Sequence, residues 1–332
     1  MYMRTEREMT ALILGVAERD SRVRAVFMNG SRANPNAPRD IFQDYDIVYV
    51  VEETASFRAQ PGWVDVFGER LVMQTPDEMD HAAGQPTDLA RCYGYLMQFA
   101  DGNRIDLRLM TLSRALEECQ SDSQTIVLLD KDGILPPLPL PSDTAYHIRR
   151  PDQTALAGCC NEFWWTLPYV AKGLWRGRVT YALDTLNACV RPQLLHMLSW
   201  LAGTRTGFAV SAGKSGADLP AYLPAGCWER YLSTYADAEP GHVWAAVFAA
   251  APLFLDARIR LPRRWLSRST KRRPKEACVI CTGCVSCPRM LQKFFEQLFP
   301  PTASVFIPFR KGAALKMNRS SKTVQWTKGP LM

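Results

Sequence analysis

Two changes of pattern along this 332-residue sequence predict an α+β fold in which a sheet-bearing N-terminal part is followed by an all-helical one. Between about residues 22 and 130, short β-branched runs alternate with turn residues; beyond residue 150, apolar residues recur at helical spacing over long stretches. Between the two lies a stiff connector containing Pro136, Pro137, Pro139 and Pro141. The domains drawn on this basis are 1–135 and 143–255, with a compositionally distinct tail over 256–332.

Thr5-Glu6-Arg7-Glu8 is a capping-box pattern ahead of Met9, Leu12, Ile13 and Val16, so the chain opens with an amphipathic helix. Arg22 to Met28 reads as a strand that ends at Asn29-Gly30-Ser31-Arg32, and the Asn- and Pro-rich segment 33–40 as loop. Further strands are predicted at Tyr45 to Val51, Arg70 to Gln74 and Cys92 to Ala100. Asp101-Gly102-Asn103 then turns the chain into Arg104 to Met110, where Arg104, Asp106 and Arg108 share one face and Ile105, Leu107 and Leu109 the other. Ser113 to Gln120 reads as a short helix and Thr125 to Leu129 as the last strand. In the second part, helices are predicted over Gln153 to Trp175, Val179 to Leu201 and His242 to Leu255. Pro168 and Pro192, one inside each of the first two, are expected to kink or divide them.

No run reaches the roughly 18 uninterrupted apolar residues of a membrane span, and the N-terminus has no basic segment followed by an apolar one. A cytoplasmic protein without a membrane partner is therefore expected. Six of the ten cysteines, Cys92, Cys119, Cys159, Cys160, Cys189 and Cys227, are scattered in apolar surroundings and read as small buried hydrophobes. Charge is divided unevenly. From Arg258 onward there are 17 Lys and Arg against two acids, whereas the preceding residues carry 23 basic and 31 acidic side chains. An acidic body attracts a cationic partner and repels nucleic acid; a basic tail does the reverse.

Three short pieces carry chemistry. Gly30 at a strand end lets backbone approach a phosphate, and Ser31 adds a hydroxyl to the N–H donors there, although Gly-Ser pairs at turns are common. Asp44 and Asp46, two apart at a strand mouth, leave the same face with Cα atoms about 6.6 Å apart. Side by side they are mutually destabilising unless a positive charge lies between them, and they offer Mg²⁺ the oxygen ligands it prefers. Asp106, on the polar face of a later strand, could meet them across the sheet; Arg104 and Arg108 on the same face could pair with it instead.

Taken in order, Gly-Ser, Asp-x-Asp and a third Asp on a later strand resemble the nucleotidyltransferase superfamily related to DNA polymerase β. The closer resemblance is to the aminoglycoside 6-adenylyltransferases, also known as streptomycin adenylyltransferases. It is carried by residues 29–35 (Asn-Gly-Ser-Arg-Ala-Asn-Pro), 40–48 (Asp-Ile-Phe-Gln-Asp-Tyr-Asp-Ile-Val), 102–107 (Gly-Asn-Arg-Ile-Asp-Leu), 160–165 (Cys-Asn-Glu-Phe-Trp-Trp) and 169–176 (Tyr-Val-Ala-Lys-Gly-Leu-Trp-Arg), and covers roughly residues 1 to 250.

The resemblance implies a nucleotidyltransferase domain with a mixed, twisted sheet flanked by helices, then a helical domain. It also implies ATP as co-substrate, Mg²⁺ as cofactor and AMP transfer to the 6-hydroxyl of streptomycin, with pyrophosphate released and the antibiotic inactivated. Asp44, Asp46 and Asp106 would be the catalytic and metal-binding carboxylates. Gly30, Ser31 and Arg32 would position the phosphates, and Lys172 would clamp the departing ones. Streptomycin carries guanidinium groups, so carboxylates and aromatic faces suit it; Glu162, Trp164, Trp165 and Asp184 are the candidates. A monomer is expected. The alternatives are another acceptor, such as a different aminoglycoside or a lincosamide, and a nucleic-acid- or metal-binding protein acting through its tail.

After about Pro252 the resemblance fades and acids nearly vanish, the pattern expected of a shifted reading frame or a disordered extension. Cys278, Cys281, Cys284 and Cys287 are spaced C-x₂-C-x₂-C-x₂-C. They lack the x₃ gap of a ferredoxin segment and the separation of paired zinc knuckles, which favours oxidation-prone thiols over a metal site.

Overall fold

The computed structural model describes residues 2–262 and Trp265, and beyond them the backbone of two short antiparallel strands, Ala313–Lys316 and Gln325–Lys328. The cysteine run at 278–287 lies outside the described residues. The chain divides into two compact units, Met1–Tyr146 and His147–Met332.

In the first unit, α1 (Glu6–Arg19) starts at the capping box: Thr5 Oγ1 accepts from the Glu8 backbone N–H and the Glu8 carboxylate accepts from that of Thr5. Its apolar stripe, Met9, Ile13, Val16 and Ala17, is buried. Six strands follow: β1 (Val23–Asn29), β2 (Tyr45–Val51), β3 (Arg70–Gln74), β4 (Cys92–Phe99), β5 (Arg104–Thr111) and β6 (Ile126–Asp130). They form one mixed sheet in the order β3-β4-β5-β2-β1-β6, in which β2 and β5 run parallel and every other pair antiparallel.

Alternation along the strands gives the sheet a core on each face. Tyr45, Ile47, Tyr49, Ile105, Leu107 and Leu109 pack with α1 on one face. Phe27, Val48, Val50 and Met110 pack with Ala115 and Cys119 of α4 (Leu112–Ser121) on the other. The Tyr49 hydroxyl, fully buried, donates to the Ile13 carbonyl at 2.5 Å and ties α1 to the central strand. Three short helical segments here carry no periodic signature in the sequence. The short α2 (Ala55–Arg58) and the 3₁₀ turn Pro61–Phe67 bury Phe57, Val64 and Phe67, and α3 (Pro76–Ala82) buries nothing. Segments of one or two turns are too short to display a period.

The second unit is helical. α5 (Gln153–Trp175) begins at an Asp152 cap and runs undivided through Pro168, so of the kink or division expected from the sequence the division does not occur. Val170, Ala171 and Leu174 continue its buried stripe past the proline, and this packing offsets the one missing N–H. The next helical stretch changes its winding without a break: α6 (Val179–Thr185) passes through a π-helical turn, Leu186–Val190, into α7 (Arg191–Thr206). Pro192 follows closely on the π-helical turn, where the i→i−4 ladder is already interrupted. α8 (Cys227–Leu232) and α9 (Pro240–Arg260) complete the unit, whose core is centred on Phe163 of α5 stacked on Phe254 of α9 at 3.8 Å. By length and composition α9 could cross a membrane, but Val243, Val247, Ala250, Leu253 and Phe254 are spent on this core. Ala257, Arg258, Leu261 and Trp265 are buried as well, so ordered packing passes the predicted boundary at residue 255.

Candidate active site

Sheet register assembles the site. Asn29, the last residue of β1, lies opposite Asp46 on β2, and Asp46 lies opposite Asp106 on the parallel strand β5. Three strands thus place Asn29, Asp46 and Asp106 in one row, with Gly30 one residue past the end of β1, and Asp44 immediately precedes β2. Gly30 adopts φ +75°, and a Cβ there would overlap the Asp46 carboxylate. Both facts require glycine, since an L side chain would be strained by the dihedral and blocked by the aspartate. Ser31 is exposed beside it in a tight turn, closed by Ala33 N–H donating to the Gly30 carbonyl at 3.0 Å.

The row is electrostatically uncomfortable. Burial first, and then the charges of Asp106 and Asp44, push the Asp46 carboxyl up to about 6. Arg104 only partly relieves this. Its guanidinium forks onto both oxygens of Asp106, at 2.7 and 2.8 Å, and lies 3.7 Å from Asp44 Oδ2. Arg108, the other arginine on this face, pairs instead with Glu118 of α4 at 2.7 Å.

Arg32 is committed elsewhere. It is 6% exposed, donates to the carbonyls of Asp44 and Gln43 at 3.1 and 2.8 Å, faces Glu6 at 3.2 Å and lies over the Tyr45 ring. These contacts make it a clasp for the backbone that carries Asp44.

Two residues join the site from positions that sequence reasoning missed. Asp122 caps the C-terminus of α4, on the same sheet face as Asp46, and its negative charge adds to the upward push on Asp46. It accepts from the Tyr146 hydroxyl at 3.0 Å and the Gln124 N–H at 2.8 Å. Burial, that hydrogen bond and the charges of Asp122, Asp46 and Glu118 hold the Tyr146 phenol at about 12. A single Asp after a helix is too common to have been noticed, and 76 residues separate it from Asp46.

Among the described residues no three His, Cys, Asp or Glu side chains close into a metal-binding set, so the predicted three-carboxylate cluster is not preassembled. Arg104 occupies both Asp106 oxygens. The donor set still suits a hard divalent cation. Mg²⁺ ordinarily takes one or two carboxylates with water and substrate phosphates, and crowded carboxylates beside a glycine turn offer that.

The remaining predicted residues belong to the helical unit. Trp164 is core, edge-on to Phe163 and Phe254, with 6% exposure. Trp165, one residue on, is 63% exposed; with Tyr169 and the exposed Lys172 it forms an outward stripe at helical spacing. Glu162 is half-buried on α5 and Asp184 exposed on α6.

A mixed sheet that presents strand-borne aspartates beside a glycine turn, followed by helices, is the architecture of a nucleotidyltransferase. Residues 3–267 match the family described as streptomycin adenylyltransferase. An aminoglycoside 6-adenylyltransferase of Campylobacter jejuni is 40% identical over 252 residues, 76% of this chain and 86% of that one. One from Bacillus subtilis (strain 168) is 39% identical over 253 residues, 76% and 88% of the two chains. A crystal structure of an aminoglycoside 6-adenyltransferase from Bacillus subtilis aligns at 30% identity over 90% of this chain and 100% of that one, with a TM-score of 0.40. The chain belongs to the streptomycin adenylyltransferase family.

Proposed function

We propose that this enzyme transfers AMP from Mg-ATP to the 6-hydroxyl of streptomycin in the cytoplasm, releasing pyrophosphate and inactivating the antibiotic. The observation that carries the reading is the register that sets Asp46 opposite Asp106 on one side and Asn29 on the other, with Gly30 against the Asp46 carboxylate and Asp44 two residues away.

Asp44 and Asp46 would hold Mg²⁺, with Asp106 as the third carboxylate facing it. When bound, the cation neutralises charge on the phosphates and orients the triphosphate. The Gly30-Ser31 turn offers backbone N–H groups and a hydroxyl to the β- and γ-phosphates, which leave together. Arg32 acts one step back by fixing the Asp44 backbone. The acceptor oxygen attacks the α-phosphorus in line, the bond from that phosphorus to the β-phosphate oxygen breaks, and the hydroxyl proton passes to a carboxylate, for which Asp106 is the candidate. In the helical unit, Trp165, Glu162 and Asp184 suit the guanidinium groups of the acceptor, and Lys172 the departing pyrophosphate. Trp164 supports them from within the core.

The test is pyrophosphate release from Mg-ATP by wild type and Asp46→Asn, each with and without streptomycin. Release that requires both streptomycin and Asp46 is the expected result. Release dependent on a different aminoglycoside or a lincosamide would move the acceptor; release by Asp46→Asn at the wild-type rate would sink the site assignment.

A further inference from the structure

Three arginines surround the carboxylate row, and they are held in different ways. Arg32 is buried and bonded to two backbone carbonyls. Arg108 is tied to Glu118, outside the row. Arg104 alone among these three spends its guanidinium on carboxylates of the row, forking onto Asp106 and reaching towards Asp44, and its side chain is 40% exposed. Sequence builds the contact in, because residues 104 and 106 leave the same face of β5.

We propose that Arg104 is the resting counter-ion of the site and is exchanged for the divalent cation. The proposal rests on the reading of Asp44, Asp46 and Asp106 as the cation-facing carboxylates. A carboxylate oxygen that accepts a short charge-assisted N–H bond has less of its electron density to offer a metal, and Asp106 has both oxygens so engaged. A cation that takes Asp106 must displace at least one arm of the fork. Exposure gives the guanidinium a route out, unlike that of Arg32. Without a cation the fork keeps like charges from pushing the strand ends apart; with one, it becomes redundant, and its donors are free for a phosphate oxygen. Arg104 is thus a positioning residue in the free enzyme and a candidate nucleotide ligand in the loaded one.

The experiment measures Mn²⁺ binding to the full-length protein without nucleotide, by the loss of the free-ion EPR signal, in wild type, Arg104→Gln and Arg104→Lys. Removing the competitor should tighten Mn²⁺ binding by roughly three- to tenfold in Arg104→Gln, with Arg104→Lys intermediate because it keeps the charge but loses the fork. The metal-free melting temperature of Arg104→Gln should fall, and saturating Mn²⁺ should close the gap. Equal or weaker Mn²⁺ binding by folded Arg104→Gln overturns the proposal. Should that variant not fold, the Arg104 Nε–H signal of wild-type protein decides: it should shift and lose exchange protection on saturation with Mg²⁺, and an unmoved signal overturns the exchange. Asp46→Asn separates the two ideas. If it binds Mn²⁺ as wild type does, the site reading fails and takes this proposal with it; if it abolishes binding while Arg104→Gln changes nothing, only the exchange fails.

Discussion

Asp46 and Asp101, both in the sheet unit, are pushed in opposite directions by their surroundings. Asp101, in the turn between β4 and β5, would be raised by burial alone, but the Arg4 guanidinium and the Asn103 side chain and backbone reverse this and hold its carboxyl well below the usual range. Arg4 also donates to the Phe67 carbonyl at 2.6 Å, so the N-terminus, the 3₁₀ turn and the β4–β5 turn are clamped together three residues ahead of β5. Asp46 has the opposite environment: burial and two like charges push it up. One aspartate is placed where the fold gains from its charge, the other where the fold loses. That difference separates scaffold from candidate site within a single sheet.

The largest test of the contrast is Asp46→Asn. Losing a metal-facing carboxylate should cost several kcal/mol of transition-state stabilisation, a fall in kcat/KM of roughly a thousandfold. The same change should stabilise the ligand-free protein at neutral pH by on the order of 2 kcal/mol, read by urea unfolding. A variant less stable than wild type would break the comparison.

Asp101→Asn should do the reverse, costing about 2–3 kcal/mol of stability through the lost charge pair with Arg4. Catalysis should change less than stability. If activity fell as far as in Asp46→Asn, Asp101 would belong with the site.

The pH dependence sharpens the contrast further, since the two groups have opposite signs. Asp46 has a folded pKa raised to about 6 from 3.8, so its stabilising contribution is full below the unfolded value and is lost as pH rises through about 6. The stability advantage of Asp46→Asn should therefore shrink as pH falls from 7.5 towards 4. Asp101 is depressed, so its contribution is present above the unfolded value, near 3.9, and is lost only as pH falls through the folded one. Acid unfolding of Asp101→Asn should begin from a lower plateau and show a shallower drop.

The smallest effect separates the adjacent tryptophans of α5. Trp165→Ala should leave the melting temperature within a degree or two while raising KM for the acceptor by about 1 kcal/mol, roughly fivefold. An unchanged KM would remove Trp165 from the acceptor site.

Strand boundaries, the polar face of β5 and the opening helix were legible because each is written in neighbouring residues: period two for a strand, a four-residue box for a cap. The Gly30-Ser31, Asp44-x-Asp46 and Asp106 pieces were legible for the same reason. Sequence spacing could not place them together, since a register is chosen by packing both faces of the sheet at once. Tertiary structure alone decided that Asp46 lies opposite Asp106, that Arg104 takes Asp106 while Arg108 turns to Glu118, and that Arg32 clasps backbone. It also brought in Asp122, and it sent Trp164 inward and Trp165 outward on the 100° step between adjacent helical residues. Local chemistry fixed which residues were available to act; burial and register fixed which of them meet, because those terms depend on every strand and helix at once.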